Sequence, residues 1–350
     1  MTPLTRAIRN VGRNRQCDVN RYAFLSFTNT RPLHLSPLLR FSPQTPISYR
    51  FYTSSKYSKM SNNNADLRIG DVFNVKDKVA LVTGGGSGIG LMITQTLAVN
   101  GVKVYVVGRT AEKLDRVAET YGKDIAGQII PLQGDVSDKE GVKKLYKEIE
   151  SREKCLHILV NNAGVARGKG DLDGEKTAQQ LKEALFDPTA VEEWTDIYAT
   201  NVVGPYLMTT AFLPLLQKAT EDQHGYSGCV VNISSISGSV RISQGHVSYN
   251  ASKAATIQLN KMLATEFAKA GLKIRVNSIS PGVFPTEMTT GESGEDQKSE
   301  MPKEKKGGLP ARRPGNDRDM AAAILFTVGC QYLNGQTIYV DGGYLLQVGM

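Results

Sequence analysis

The sequence around residue 85 reads Val79-Ala-Leu-Val-Thr83, then Gly84-Gly-Gly-Ser-Gly-Ile-Gly90, then Leu91-Met-Ile-Thr-Gln-Thr-Leu-Ala98. The first run predicts a buried strand and the last a helix. Glycines permit a tight turn and let backbone N–H groups approach a pyrophosphate at a helix N-terminus, where the dipole favours anions. This order indicates a dinucleotide loop, with a plain turn as the alternative. The predicted cofactor contacts are Gly84, Ser87, Gly88, Ile89 and Gly90.

The rest of the body alternates short apolar runs with helical patterns. Strands are predicted at residues 79–83, 102–107, 128–132, 156–160, 228–233, 273–278 and 336–340, most of them apolar runs. Helical patterns fall at 91–98, 111–121, 139–150, 194–216 and 317–328. The alternation predicts an α/β fold, a Rossmann-like doubly wound parallel sheet of about seven strands with helices on both faces. Ligands of such sheets bind at the C-terminal ends of the strands.

The second predicted strand ends at Gly108-Arg109-Thr110. An acidic residue about 20 positions beyond a glycine loop binds the ribose 2′-hydroxyl of NAD. Here that position is held by Gly108 and Arg109, and a cation suits the 2′-phosphate of NADP. The sequence therefore favours NADP over NAD, with an ordinary surface arginine as the alternative.

Two polar residues are further candidates: Asp135 follows a predicted strand, and Asn201 lies within a predicted helix. Asp135 is a candidate acceptor for the adenine amino group; equally, it is a loop residue near Ser137, a plausible cap for the next helix. Asn201 falls in the middle of the helix predicted over 194–216. A buried asparagine has to find hydrogen-bond partners, which makes Asn201 a candidate for a polar relay.

Tyr249 and Lys253 are four residues apart in Tyr249-Asn-Ala-Ser-Lys253 and share one face if the segment is helical. A free phenol has a pKa of about 10, and a nearby cation lowers it by favouring the phenolate. General acid–base catalysis needs a shift of this kind. The pair is therefore predicted to form an acid/base centre, and an amphipathic helix surface is the alternative.

The first 60 residues have a different composition from the rest. They hold eight Arg and two Lys against the single acid Asp18, a net charge of +9, so the remainder of this +8 chain carries −1. An Arg-, Ser- and Thr-rich leader that is almost free of acids is typical of a mitochondrial presequence. We expect a leader over 1–58, cut near Thr53, and one folded domain over 59–350. A disordered basic arm is the alternative, and Met60 is a possible start of a cytosolic form.

Composition also argues against several function classes. The near-neutral body does not favour nucleic-acid binding, and no apolar run suits a membrane span. The four His and four Cys show no ligand or pairing pattern, so we expect no metal and reduced intracellular thiols. The 350 residues, 40% hydrophobic and 22% charged, suit one large α/β domain.

Two segments depart from the regular rhythm. Residues 165–193 are predicted to be an insertion at the ligand edge that shapes substrate entry, or else a solvated loop and helix. Residues 287–319 are polar and charged, which suits a mobile flap better than packed structure. Disorder without a function is the alternative there.

Six motifs occur in the order of the short-chain dehydrogenase/reductase family, which the chain resembles from about residue 75 to 343. They are Thr83-Gly-x-x-x-Gly88-x-Gly90, Asn161-Asn162-Ala-Gly164, Asn201, Ser235, Tyr249-x-x-x-Lys253 and Pro281-Gly282. The resemblance implies a single Rossmann-fold domain, a homo-oligomer (tetramer or dimer), and use of NAD or NADP without a metal.

The resemblance also implies residue roles. Tyr249 would be the acid/base, Lys253 would lower its pKa and bind the nicotinamide ribose, and Ser235 would hold the substrate oxygen. Other implied contacts are a proton relay at Asn201 and cofactor contacts at Asn162, Pro281 and Thr286. Ser235 and Tyr249 lie one position further apart than is usual, which a one-residue insertion in the loop 237–247 would explain. Ser234 and Ser237 therefore stay open as substitutes for Ser235.

The expected reaction is hydride transfer between NADP(H) and a carbonyl or secondary alcohol. Within the family, the chain is similar to 3-oxoacyl-acyl-carrier-protein reductases, which suggests an acyl-thioester or other small-molecule substrate. Reductases of secondary metabolism and dehydrogenases of secondary alcohols or polyols share every motif quoted. A non-catalytic nucleotide sensor is the alternative of another class, and the complete Ser, Tyr, Lys and Asn set speaks against it.

Overall fold

The structure, a computed structural model, describes residues 64–168, 170–172, 174–301 and 308–350. The predicted leader over 1–58, its cleavage near Thr53 and the alternative start at Met60 lie outside the described residues. The domain boundary between residues 58 and 59 therefore stays a prediction.

Seven parallel strands form one sheet in the order β3-β2-β1-β4-β5-β6-β7. Each strand corresponds to a predicted apolar run, so the predicted fold class is confirmed. The strands are β1 (Val79–Thr83), β2 (Lys103–Gly108), β3 (Gln128–Gln133), β4 (Ile158–Asn161), β5 (Cys229–Ile233), β6 (Arg275–Pro281) and β7 (Thr337–Val340).

Helices connect the strands and lie around the sheet. They are α1 (Ile69–Val72), α2 (Gly88–Val99), α3 (Ala111–Tyr121), α4 (Lys139–Arg152), α5 (Ala178–Leu185), α6 (Val191–Tyr198), α7 (Gly204–Ala211), α8 (Leu213–Asp222), α9 (Val247–Lys269), α10 (Glu287–Thr290), α11 (Asp317–Gly329) and α12 (Tyr344–Val348). No helix within these ranges is long and apolar enough to cross a bilayer.

The sheet is covered on both faces because its strands are apolar on both sides. In β1, Ala80 and Val82 pack with α2, α3 and α11 in one apolar cluster. Val79 and Leu81 point the other way and pack with α4, α7, α8 and α9 in a second cluster. Burial on both faces is typical of parallel sheets and explains the nearly continuous apolar runs in the sequence.

The sequence predicts one continuous helix over 194–216, and this prediction is wrong. The chain forms α6, a π turn at Ala199–Val203, then α7 and α8. Prolines account for the interruptions, because proline has no N–H for the carbonyl four residues earlier. Pro205 leaves the Asn201 carbonyl without that partner, and the Thr256 hydroxyl donates to it instead at 2.8 Å. Pro214 similarly falls at the start of α8.

Strand order reverses between β1 and β4, the neighbours from which the chain winds outward in both directions. In parallel α/β sheets, the crevice beyond the carboxyl ends of the strands at such a switch point is where ligands bind. The glycine loop follows β1 at this edge, and the Asn161-Asn162-Ala163-Gly164 motif spans the end of β4. The fold therefore brings both predicted motifs together.

His157 is a buried histidine just before β4, at the opposite edge of the sheet. It is 7% exposed and its Nδ1 accepts a hydrogen bond from the Val79 N–H at 3.1 Å. Its ring packs edge-on against Tyr226, with ring centres 5.6 Å apart. Burial, assisted by the charge of Lys78, lowers the pKa of His157 from 6.5 to about 4. The folded protein thus holds His157 neutral.

We expect His157 to make the fold acid-sensitive. Below pH 6.5 the unfolded chain protonates this imidazole while the folded chain does not until about pH 4, so stability falls across that window. The loss is at most about 3 kcal/mol. Urea unfolding at pH 7 and pH 5 should show His157→Gln losing about 1–2 kcal/mol less than the wild type. The exposed control His224→Gln should behave like wild type; equal losses in all three would contradict this role.

Candidate active site

The glycine loop has a backbone that only glycine suits at key points. Gly84 and Gly88 have φ of +63° and +53°, in the left-handed region. At Gly90 a side-chain Cβ would lie 2.2 Å from the Gly84 carbonyl oxygen. The Ser87 side chain does not cap α2. The loop thus keeps its backbone accessible at the start of α2, as a pyrophosphate requires.

Asn162 fixes the shape of this loop. Its amide nitrogen donates to the carbonyl oxygens of Thr83 and Gly84, both at 3.0 Å. The Thr83 hydroxyl in turn accepts from the N–H groups of Asn162 and Ala163. Both amide protons of Asn162 are therefore engaged with the protein. Asn162 therefore holds the loop that would receive a cofactor, and its predicted contact with the cofactor stays a prediction.

Arg109 and Asp135 lie together beyond the ends of β2 and β3, where they line a cavity of about 580 Å³. Asp135 accepts hydrogen bonds from the N–H and hydroxyl of Ser137 at 2.8 and 2.7 Å. Partial burial opposes ionisation of Asp135, but these bonds and the Arg109 charge outweigh it and lower its pKa. The cap of α4 is Asp138, which accepts from Glu140 and Gly141 N–H groups, so the predicted cap at Ser137 is wrong.

A second cavity, of about 530 Å³, lies at the ends of β5 and β6. Its walls include Ile89 of the glycine loop, Ser235, Tyr249, Pro281 and Thr286. Five of the predicted residues thus line one cavity, and a sixth, Lys253, lies behind Tyr249. The glycine loop contributes Ile89 to this second cavity, and the first cavity lies beyond the ends of β2 and β3.

Lys253 is buried, with 4% of its surface exposed. Its ammonium donates to the Ile233 carbonyl at the end of β5 at 2.9 Å and lies 5.6 Å from the centre of the Tyr249 ring. Burial lowers the pKa of Lys253 to about 8. A Cβ at Gly164 would approach the ammonium to 3.4 Å, so the Asn161–Gly164 motif leaves room for this side chain.

The pKa of Tyr249 is raised, not lowered. Burial raises it to about 12, and a hydrogen bond with the Ser235 side chain opposes the rise. The sequence predicted a lowered value from the nearby ammonium, and this is wrong for the arrangement in the structure. The reason is that desolvation of the phenolate dominates while the ammonium is directed at the Ile233 carbonyl.

Among the three candidate serines, only Ser235 interacts with Tyr249 within the described structure. Ser234 points to β6, where its hydroxyl bonds Ser278 at 2.6 Å. Ser237 donates to Gln244 at 2.8 Å. Gln244 and the next residue, Gly245, both have positive φ, so the loop predicted to hold an extra residue contains an unusual turn.

Asn201 is 1% exposed and uses its whole carboxamide. Its Oδ1 accepts from the Val165 N–H, and its Nδ2 donates to the Val165 carbonyl and the Ser252 hydroxyl, at 2.9, 2.9 and 3.0 Å. Sequence reasoning missed Ser252 and Thr256. They were detectable, because positions 249, 252, 253 and 256 follow the spacing of one helix face.

Thr286 is the N-cap of α10 and lies against the glycine loop. A Cβ at Gly88 would meet the Thr286 side chain at 3.1 Å. Residues 287–301 are more packed than predicted: Gln297 and Met301 are buried, and Tyr121 of α3 donates to the Asp296 carbonyl at 2.6 Å. The insertion after β4 contains α5 and places Arg167 at the wall of the Tyr249 cavity. Among the described residues, no cluster of His, Cys, Asp or Glu suits a metal ion.

Fold and site define an α/β oxidoreductase that binds a dinucleotide. The family model for short chain dehydrogenase matches residues 78–297, and the chain belongs to this family. The family's enzymes use NAD or NADP, and the chain is an NAD(P)-dependent oxidoreductase.

Similar proteins cover most of the chain. A short-chain dehydrogenase/reductase, PhomF of Diaporthe leptostromiformis, is 36% identical over 79% of this chain and 94% of its own. The rhamnolipids biosynthesis 3-oxoacyl-[acyl-carrier-protein] reductase of Pseudomonas aeruginosa is 32% identical, covering 78% and 98%. A solved complex of Pseudomonas aeruginosa RhlG with NADP has a TM-score of 0.64 at 30% identity, covering 78% of this chain and 98% of that one.

We expect Asn201→Leu to damage the site through its architecture. The change keeps a similar volume but removes the partners of the Val165 backbone and the Ser252 hydroxyl, which should cost about 2–4 kcal/mol. Urea unfolding measures the loss. The exposed Asn100 makes one side-chain bond, to the Thr96 carbonyl, so Asn100→Leu should cost under about 1 kcal/mol. Equal losses in the two variants would contradict this structural role of Asn201.

Proposed function

We propose that the chain reduces a carbonyl to a secondary alcohol with NADP(H), and that its substrate is a 3-oxoacyl thioester. The observation that carries the proposal is that Tyr249 and Ser235 line the same cavity, with the buried Lys253 ammonium 5.6 Å from the centre of the Tyr249 ring. Two hydroxyls at one point suit a carbonyl oxygen that gains negative charge.

The raised pKa of Tyr249 supports the direction of reduction. With a pKa of about 12 the phenol is protonated at neutral pH and is able to donate a proton to the substrate oxygen. Ser235 donates a second hydrogen bond to that oxygen. The bound dinucleotide supplies the hydride to the carbonyl carbon. The pKa of Lys253, lowered to about 8, suits return of a proton toward Tyr249 near neutral pH.

Two observations support NADP as the cofactor. Arg109 is exposed at the end of β2, where an acidic residue would otherwise bind the ribose of NAD. The RhlG structure, similar over most of the chain, is a complex with NADP.

The thioester substrate is supported by the names of two relatives. The rhamnolipids biosynthesis enzyme and Staphylococcus aureus FabG, 34% identical over 76% of this chain, are both 3-oxoacyl-[acyl-carrier-protein] reductases. PhomF is more similar, at 36%, and its name gives no substrate. NADPH oxidation should therefore be followed with 3-oxoacyl thioesters alongside simple ketones, quinones and sugars. Turnover of ketones or sugars with none of thioesters would refute the substrate class.

We also propose a mitochondrial matrix location and a homo-oligomer. The first rests on leader composition and the second on family membership. N-terminal mass spectrometry of the protein from purified mitochondria and from cytosol tests the location. A fully retained leader would refute it.

We expect Tyr249→Phe to abolish turnover and to leave NADPH binding within about twofold of wild type, because only the proton donor is lost. Ser235→Ala should lower kcat/KM by about 10²–10³-fold through loss of one donor to the oxygen. The matched control Ser237→Ala should stay within about threefold. Steady-state kinetics measures all three, and retained activity in Tyr249→Phe would refute the proposed acid.

We expect Arg109→Asp to move cofactor preference toward NAD. Loss of the cation weakens NADPH, and the new carboxylate suits a 2′-hydroxyl. The ratio of the Kd values for NADPH and NADH should rise at least about tenfold, as 1.4 kcal/mol corresponds to a factor of ten. Fluorescence titration measures both constants. An unchanged ratio would count against Arg109 as the residue that reads the 2′-phosphate.

A further inference from the structure

A carboxylate of the chain itself lies at the glycine loop. Glu287, the first residue of α10, forms an ion pair with Lys113 of α3, with Nζ and Oε1 2.7 Å apart. It also accepts a hydrogen bond from the Ser293 hydroxyl, and the neighbouring Ser87 side chain helps to lower its pKa. Ser87 is the residue before Gly88 in the loop, so Glu287 bridges the loop to α3.

Lys113 is placed to meet a ligand of this loop. Its Cβ lies 3.7 Å from where a Cβ of Gly86 would be, so its side chain starts beside the loop. It lies in the first turn of α3, four positions after Arg109. Its side chain is 42% exposed and that of Glu287 is 33% exposed, so the pair is accessible to exchange with a solute.

The donors that hold Glu287 are those a phosphate oxygen would use. An ammonium and a hydroxyl bind a carboxylate and a phosphate in the same way, through charge-assisted hydrogen bonds. Partial burial disfavours ionisation of Glu287, but the bonds from Lys113, Ser293 and Ser87 outweigh it and lower its pKa. The Glu287 carboxyl group is therefore ionised at neutral pH and competes with any other anion for these donors.

We propose that Lys113 binds a phosphate of the dinucleotide and that Glu287 is an internal competitor for it. The inference rests on the proposed dinucleotide cofactor and adds two residues to its site. Cofactor binding then exchanges the Glu287 carboxylate for a phosphate on Lys113 and Ser87. Because Glu287 also begins α10, which lies between Thr286 and the packed segment 291–301, the exchange frees one anchor of that segment from α3.

The test is NADPH binding to full-length chains, followed by fluorescence titration. Glu287→Gln should bind NADPH about three- to fivefold more tightly, as expected when a partly exposed ion pair of up to about 1 kcal/mol no longer competes. Lys113→Gln should bind about five- to tenfold more weakly, through loss of one phosphate contact. The double variant should resemble Lys113→Gln, since Glu287 acts through Lys113.

The matched control is Glu292→Gln, which removes the same charge from the same segment and should leave the Kd within twofold. Parallel titration with NADH identifies the phosphate: effects confined to NADPH indicate the 2′-phosphate, and equal effects with NADH indicate the pyrophosphate. Unchanged or weaker binding in Glu287→Gln, or unchanged binding in Lys113→Gln, would overturn this inference while leaving the proposed function intact. A wild-type chain that binds neither NADPH nor NADH would overturn both.

Discussion

The buried ammonium of Lys253 is the constraint on which the arrangement of the site depends. A charge taken out of water must find partners. The Ile233 carbonyl, at the end of β5, provides one at 2.9 Å. This bond fixes α9 against the strand end, and therefore fixes where the Tyr249 ring stands relative to the cavity. Gly164 leaves space on the other side of the ammonium. Strand end, helix and glycine thus together specify the position of the Tyr249 phenol.

The fold was predictable from sequence because the central strands β1, β2, β4 and β5 are buried on both faces and read as apolar runs rich in β-branched residues. The shared face of Tyr249 and Lys253 was predictable for a similar reason, since helical spacing is local. The π turn at Asn201 was harder to predict, although Pro205, which causes it, is evident in the sequence. A proline removes one N–H, and the carbonyl that loses it becomes available to Thr256.

The electrostatics of the site were not predictable from spacing. Spacing places Lys253 near Tyr249, but the sign of the shift in the Tyr249 pKa depends on how much water the fold removes and on where the ammonium is directed. The contacts of Asn162 and the packed structure of residues 287–301 also depend on tertiary packing. In both cases a polar side chain or segment expected to face a ligand or solvent has its partners within the protein. These partners come from distant parts of the sequence.

The two ends of the proposed site differ in their physical character. At Tyr249 burial removes water from the phenol and raises its pKa. At Arg109, Lys113 and Ser87 the side chains are at least partly exposed, and Glu287 forms an ion pair with the Lys113 ammonium. In this account the glycine loop orients the cofactor between these two ends of the site. The loop's shape is held by Asn162, so cofactor geometry and catalytic geometry share one support.

The most direct test of the account is transfer of deuterium from NADPH that carries deuterium at both hydrogen positions of the nicotinamide C4 to a 3-oxoacyl thioester, read by mass spectrometry of the product. The account predicts one deuterium on the former carbonyl carbon with the wild-type chain. A hydroxyacyl product that lacks the label, or no product from any thioester or ketone despite NADPH binding, would contradict it.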